Sequence, residues 1–180
     1  AKPTISDFIA ALVAAHEAEQ DEDDCQDEAF NAFSYNWELH RMGQPLYEGH
    51  TFTLDERNGY ACLHSRSEYE GVEDVVLIEM CYWNEADGKH KLIAYNVQCF
   101  RNGRHSPGQF DGIQFYRYTN STRSVTPCDA PGFESVFGTE DAWVSYALPR
   151  TGKDITETYW YQSGAKKQRT LKWNGRKFSY

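Results

Sequence analysis

Apolar residues recur at helical spacing at the start of the chain. Ile5, Phe8, Ile9, Leu12 and Val13 mark one face, Thr4 or Ser6 can cap the first turn, and Asp7 sits within it. The run AALVAAHEAE has high helix propensity. The acidic stretch Asp21–Glu28 interrupts the stripe and reads as an exposed connection. A second helix is predicted from about Asp27 to Met42, striped by Phe30, Phe33 and Trp37 and ended by Gly43 and Pro45.

After Tyr47 the period becomes alternating and stays so. Thr51–Glu56 and Tyr60–Tyr69 flank RNGY, which reads as a type I′ hairpin turn. Further hairpins are predicted around NEADGK, TNSTR, PRTGKD and QSGAK, and the Asn174-Gly175 pair closes the series. Asp74–Trp83 is almost wholly apolar, as expected of a central strand covered on both faces. No helical segment separates the strands, which argues against a parallel α/β sheet. The expected fold class is α+β. Two N-terminal helices, within residues 4–42, pack on a twisted antiparallel meander sheet of about eight strands that runs from residue 50 to the end of a single 1–180 domain.

Composition adds two constraints. Aromatic residues make up 15% of the 180, which suits half-buried sheet faces. The net charge of −9 argues against a surface devoted to nucleic acid. The charge is uneven: Glu17–Glu28 holds eight acids and no base, whereas Arg150–Tyr180 holds eight bases against Asp154 and Glu157. No stretch has the roughly 18 consecutive apolar residues of a transmembrane helix. The first residue is not Met, and a signal peptide removed before Ala1 would leave such an end, so export is the expectation.

Motifs for chemistry are scarce. His16-Glu17 starts like a zinc-protease motif, but Gln20 stands where the second His should be and the next is His40. The acidic run DEDDCQDE lacks the Gly and the alternating ligands of a calcium loop and reads as solvated. There is no G-x-S-x-G, phosphate loop or C-x-x-C, so no catalytic residue, metal or cofactor is expected. Among the five cysteines, a hairpin centred on Gly71-Val72 would set Cys62 opposite Cys81. That allows a disulfide, although two buried free thiols are the favoured alternative. Asn120-Ser121-Thr122 is a formal glycosylation sequon in a turn.

The aromatic and basic C-terminus is the best binding candidate, through Trp160, Trp173 and Arg176. The Gly-, Pro- and Arg-bearing loop Arg101–Gly112 adds Arg104 and His105. The alternative is a structural hairpin, with Leu171 and Phe178 paired on one face, Trp173 beside Arg176, and the cations guarding a sheet edge.

The segments SYALPRTGKDI and LKWNGRKF, with FYRYTNSTRSVTP, resemble parts of uncharacterised exported proteins of gut anaerobes of the Bacteroidetes type. The resemblance covers the C-terminal part of the chain and implies a periplasmic or cell-envelope location. It carries no catalytic residues. The expected function is therefore a non-enzymatic exported binding domain whose partner is a protein or a glycan, not nucleic acid. A periplasmic hydrolase or isomerase assembled only in three dimensions, or an inhibitor of a secreted enzyme, are the alternatives. A deep pocket with shifted ionisable groups would favour the enzyme, and an exposed aromatic patch the binder.

Overall fold

The computed structural model describes residues 2–19 and 27–180. Helix α1 spans Ile5–Glu19 and α2 spans Glu28–Arg41. The backbone N–H and hydroxyl of Thr4 both donate to Asp7 Oδ2 (2.6 and 3.2 Å), closing the first turn of α1. Asp27 caps α2 by accepting from the Phe30 N–H at 3.0 Å. The chain leaves α2 through Gly43 at φ 68°, with the Gln44 N–H donating back to the Leu39 carbonyl, which accounts for the predicted stop. The calcium-like run falls mostly on residues 20–26, outside the described residues.

Eleven strands follow: β1 His50–Asp55, β2 Tyr60–Tyr69, β3 Val72–Asn84, β4 His90–Arg101, β5 Arg104–His105, β6 Gly112–Thr119, β7 Ser124–Cys128, β8 Ala142–Ala147, β9 Ile155–Tyr161, β10 Lys166–Trp173 and β11 Phe178–Ser179. They form two antiparallel sheets. The first is ordered β1-β2-β3-β4-β6-β7, with β5 also on β4, and the second is β11-β10-β9-β8. The α+β class holds, but the single meander of about eight strands is replaced by a seven-stranded and a four-stranded sheet. The break falls at residues 129–141, which have no strand of their own beyond an isolated bridge from Gly138 to Trp143.

Alternation along the central strands explains the layering. Ile78, Met80, Ile93, Tyr95 and Val97 face the helices and pack against Phe8, Leu12, Phe33 and Trp37. Cys81, Trp83, Leu92 and Ala94 face the other way and pack against Val144, Tyr146, Leu148, Ile155, Leu171, Trp173 and Phe178 of the second sheet. The near-continuous apolar run in β3 thus reflects burial on both faces, as expected.

Two registers differ from the sequence reading, each by two residues. The β2–β3 turn is Glu70-Gly71, at φ 50° and 78°, so Tyr69 pairs with Val72. Cys62 then faces Glu79 and Cys81 faces Tyr60; the proposed disulfide partners are not opposite each other, and both are free. At the C-terminus Trp173 pairs with Phe178 across a four-residue loop, not with Arg176. Asn174 Oδ1 accepts from the N–H groups of Arg176 and Lys177, which stabilises that longer loop. The RNGY turn is likewise a four-residue loop, in which Asp55 accepts from the backbone and side chain of Asn58.

The second sheet is also held to the first by polar contacts along the free edge of β8. The Asn96 amide donates to the Tyr146 carbonyl (2.7 Å) and the Leu148 N–H donates to Glu79 Oε1 (3.3 Å). Further along the same edge, the Val144 N–H donates to the Phe137 carbonyl. An edge strand that would otherwise present unpaired backbone is thereby closed.

Candidate ligand-binding face

Alternation in β8–β10 creates a second face, turned away from the shared core. Trp143, Trp160 and Lys166 stand in one row across three strands, because Trp143 pairs with Trp160 and Trp160 with Lys166. The next row is Ser145, Thr158 and Gln168, followed by Ala147, Thr156 and Thr170. The Trp160 indole donates to Ser145 Oγ at 2.8 Å, and the Lys166 ammonium lies 5.2 Å from a Trp160 ring centroid. Trp143 remains 45% exposed and meets Phe137, itself 55% exposed, edge to face at 5.3 Å.

The β4–β5 hairpin supports this row from the first sheet. Asn102 and Gly103 turn it at φ 47° and 77°. Arg104 donates to the carbonyls of Gly164 and Tyr161 (3.1 and 2.9 Å) while its guanidinium stacks on Trp160 at 5.8 Å. His105 lies 6.4 Å from Trp160, but its side chain is buried and paired through Nε2 with Asp111 Oδ1 at 3.0 Å.

The structure therefore gathers Trp160, Arg104 and His105 in one place. His105 lies behind the face, not on it. Trp173 and Arg176 lie at the other end of β10, roughly 23 Å from Lys166 by strand rise. Trp173 is buried against Phe178 (4.9 Å) and donates to the Asn84 carbonyl, which corrects its reading as a ligand contact. Arg176 is an exposed loop residue on the same hairpin. Trp143, Phe137 and Lys166 escaped the sequence reading, although the strict alternation of AWVSYA sets Trp143 opposite in facing to Val144 and Tyr146.

A cavity of about 290 Å³ opens beside Phe137. Its cause is a break in a ladder. β6 pairs with β4 only as far as Val97, and β5 resumes at Phe100. In the gap the Cys99 N–H donates to Asp111 Oδ2 and the Ser106 N–H donates to the Cys99 carbonyl. The opening left between β4, β6 and the β8 edge is lined by Asn96, Asp111, Gln114, Ser135, Phe137 and Ser145 among others.

The two buried glutamates are both partnered. Glu79 receives hydrogen bonds from Tyr60, Asn96, Gln98 and the Leu148 N–H, yet burial pushes its carboxyl up. Burial also raises the phenols of Tyr95 and Tyr146, both on the cavity wall. Glu157, fully buried, is paired with Arg169 at 2.8 Å and accepts from the Tyr180 hydroxyl.

Among the described residues, Glu85, Asp87 and His90 form a close trio of potential metal ligands. Arg117 already lies against both carboxylates, at 2.8 and 3.6 Å, supplying the cation. His16 and His40 pack on Phe30 and Phe52 from different helices, so the broken zinc motif stays broken. Asn120 of the sequon sits in a turn and donates its amide to the Gly88 carbonyl. No helix among the described residues is long and apolar enough to cross a membrane. No protein-family model matches the chain, and no curated protein or solved structure is significantly similar to it.

Proposed function

We propose that this chain is a non-enzymatic exported domain that binds glycan through the outer face of its second sheet. The observation that carries this reading is the exposed Trp143–Phe137 pair, in line with Trp160 and Lys166 on a face that also exposes Gln168 and Thr170, while Ser145 and Thr158 lie buried beneath. Indole and phenyl faces stack on the C–H faces of sugars, while hydroxyl and amide side chains exchange hydrogen bonds with sugar hydroxyls. Ser145 and the β4–β5 hairpin hold the Trp160 indole in place, so little of its side-chain freedom is lost on binding.

Of the two carboxylates on the cavity wall, Asp27 caps α2 and Asp111 is held by His105 and the Cys99 N–H, which favours a binder over a hydrolase. The two shifted groups there, Tyr95 and Tyr146, are phenols moved further from neutrality. The inhibitor alternative loses support because Arg104 and His105 of the Arg101–Gly112 loop are engaged within the fold. The periplasmic or cell-envelope location rests on the resemblance of the C-terminal segments.

The test is a glycan array read with the native chain and with Trp143→Ala and Trp160→Ala. Retained glycans whose signal falls in both variants are the expected result. An array with no binding, or binding indifferent to both indoles, would remove the proposal.

A further inference from the structure

We infer that the cavity beside Phe137 is the end-subsite of this face and takes one terminal, non-anionic sugar residue, neutral or amine-bearing. The inference rests on the glycan-binding reading and adds what the site selects. Three observations carry it.

The first is an unmet acceptor. Asn96 is wholly buried and lines the cavity. Its amide N–H₂ donates to Glu79 and to the Tyr146 carbonyl, while its Oδ1 has no partner among the described residues. Buried polar atoms in folded proteins are nearly always paired, so an unpaired amide oxygen at the cavity marks a place where a ligand or water supplies the missing donor.

The second is charge. Asp27 and Asp111 line the cavity, Asp111 backed by His105, and among the described residues no Lys, Arg or His lines it. A uronate or sialate carboxylate would enter without a counter-charge and shed its hydration against these groups, whereas hydroxyls and ammonium groups find acceptors.

The third is shape and position. A volume of about 290 Å³ has room for one pyranose ring and lies at the small end of ligand sites. Phe137 belongs both to the cavity wall and to the aromatic pair with Trp143. A glycan lying along the indoles can therefore place its last residue inside.

The test is saturation-transfer NMR and calorimetry on the full chain with the methyl glycosides of glucose, glucosamine and glucuronic acid. Ser135→Trp, which fills the cavity from an exposed wall position, is compared with Tyr69→Ala, an exposed position outside the cavity and the indole row, and thermal melts confirm that both variants fold. The expected result is binding of the glucoside or the glucosaminide, with the glucuronide at least about tenfold weaker, a difference that one unpaired buried charge readily exceeds. Ser135→Trp abolishes that binding and Tyr69→Ala leaves it unchanged. Glucuronide binding as tight as the others overturns the inference. If no monosaccharide binds while array glycans still depend on Trp143, the cavity assignment falls and the glycan-binding reading stands. Failure of both experiments removes both.

Discussion

Glu79 offers the sharpest test of how the two sheets are joined. It receives the Tyr60 hydroxyl on Oε2 at 2.8 Å, and on Oε1 the Gln98 and Asn96 amides and the Leu148 N–H, at 2.7, 3.1 and 3.3 Å. Glu79→Ala leaves the first two and the Leu148 N–H without this acceptor, while Asn96 keeps the Tyr146 carbonyl. Each stranded buried donor costs about 1–3 kcal/mol, partly offset because the carboxyl no longer has to be desolvated. A net loss of about 3–5 kcal/mol is expected, a large share of a typical domain's stability. Glu79→Gln retains a carbonyl oxygen for Gln98 and Leu148 and turns an N–H₂ toward Tyr60, whose hydroxyl can accept; it should cost about 1 kcal/mol or less.

The pH dependence has a definite sign. Burial raises the Glu79 carboxyl above its unfolded value, so its contribution is complete below the unfolded pKa of about 4.3 and is lost as pH rises through the folded value. The native chain should therefore lose ground to Glu79→Gln between two pH values, one near the unfolded pKa of about 4.3 and one well above it. Urea unfolding at both pH values measures all of this. Equal costs for Ala and Gln, or a gap that widens in favour of the native chain with rising pH, would refute the reasoning.

Three further outcomes follow from the same geometry. Asp55 bonds Asn58 first and Arg150 next, and its carboxyl is lowered to about 2; its contribution is present above the unfolded value and lost as pH falls toward 2, so NMR titration should place its midpoint there and Asp55→Asn should flatten that acid limb. Burial pushes the Cys62 thiol up to about 11, so native Cys62 should resist iodoacetamide at about pH 8 and react on unfolding, read by peptide mass. Gly132 has φ 74°, and an added Cβ would lie 2.2 Å from the Phe178 carbonyl oxygen, so Gly132→Ala should cost about 2–4 kcal/mol; Gly152→Ala, at φ 82° in open space, should cost about 1 kcal/mol, both by chemical denaturation.

The helices and nearly every strand were legible because each carries its own period. Phe30, Phe33 and Trp37 mark the inner face of α2 without reference to anything distant. The partition into two sheets was not, because β8–β10 alternate as any strands do. What separates them is the strand-poor stretch 129–141, whose irregularity reads from sequence as one more connection. Registers slipped by two because a two-residue slip keeps each side chain on its face, so burial patterns do not resist it. Leu171 and Phe178 were thus correctly expected in the core, while Trp173 moved from the solvent end of the hairpin into it. Of the candidate site, Trp160 and Arg104 were visible as residue types. The meeting of Arg104 with Trp160 depends on where the second sheet sits on the first, and no local pattern encodes that.

The polar closure of the β8 edge has a consequence for assembly. Apolar contact between Trp83, Phe115 and Leu92 on one sheet and Val144, Ile155 and Leu171 on the other tolerates a sliding placement, since one aliphatic surface serves nearly as well as another. Glu79 and Asn96 do not tolerate it: shifted by one strand residue, the carboxylate would meet side-chain carbon in place of the Leu148 N–H, and the amide would miss the Tyr146 carbonyl. These two residues act as a key that admits one alignment of the sheets. The same alignment sets Trp160 over the β4–β5 hairpin and shapes the opening beside Phe137, so the accuracy of the surface groove is inherited from two hydrogen bonds inside the protein.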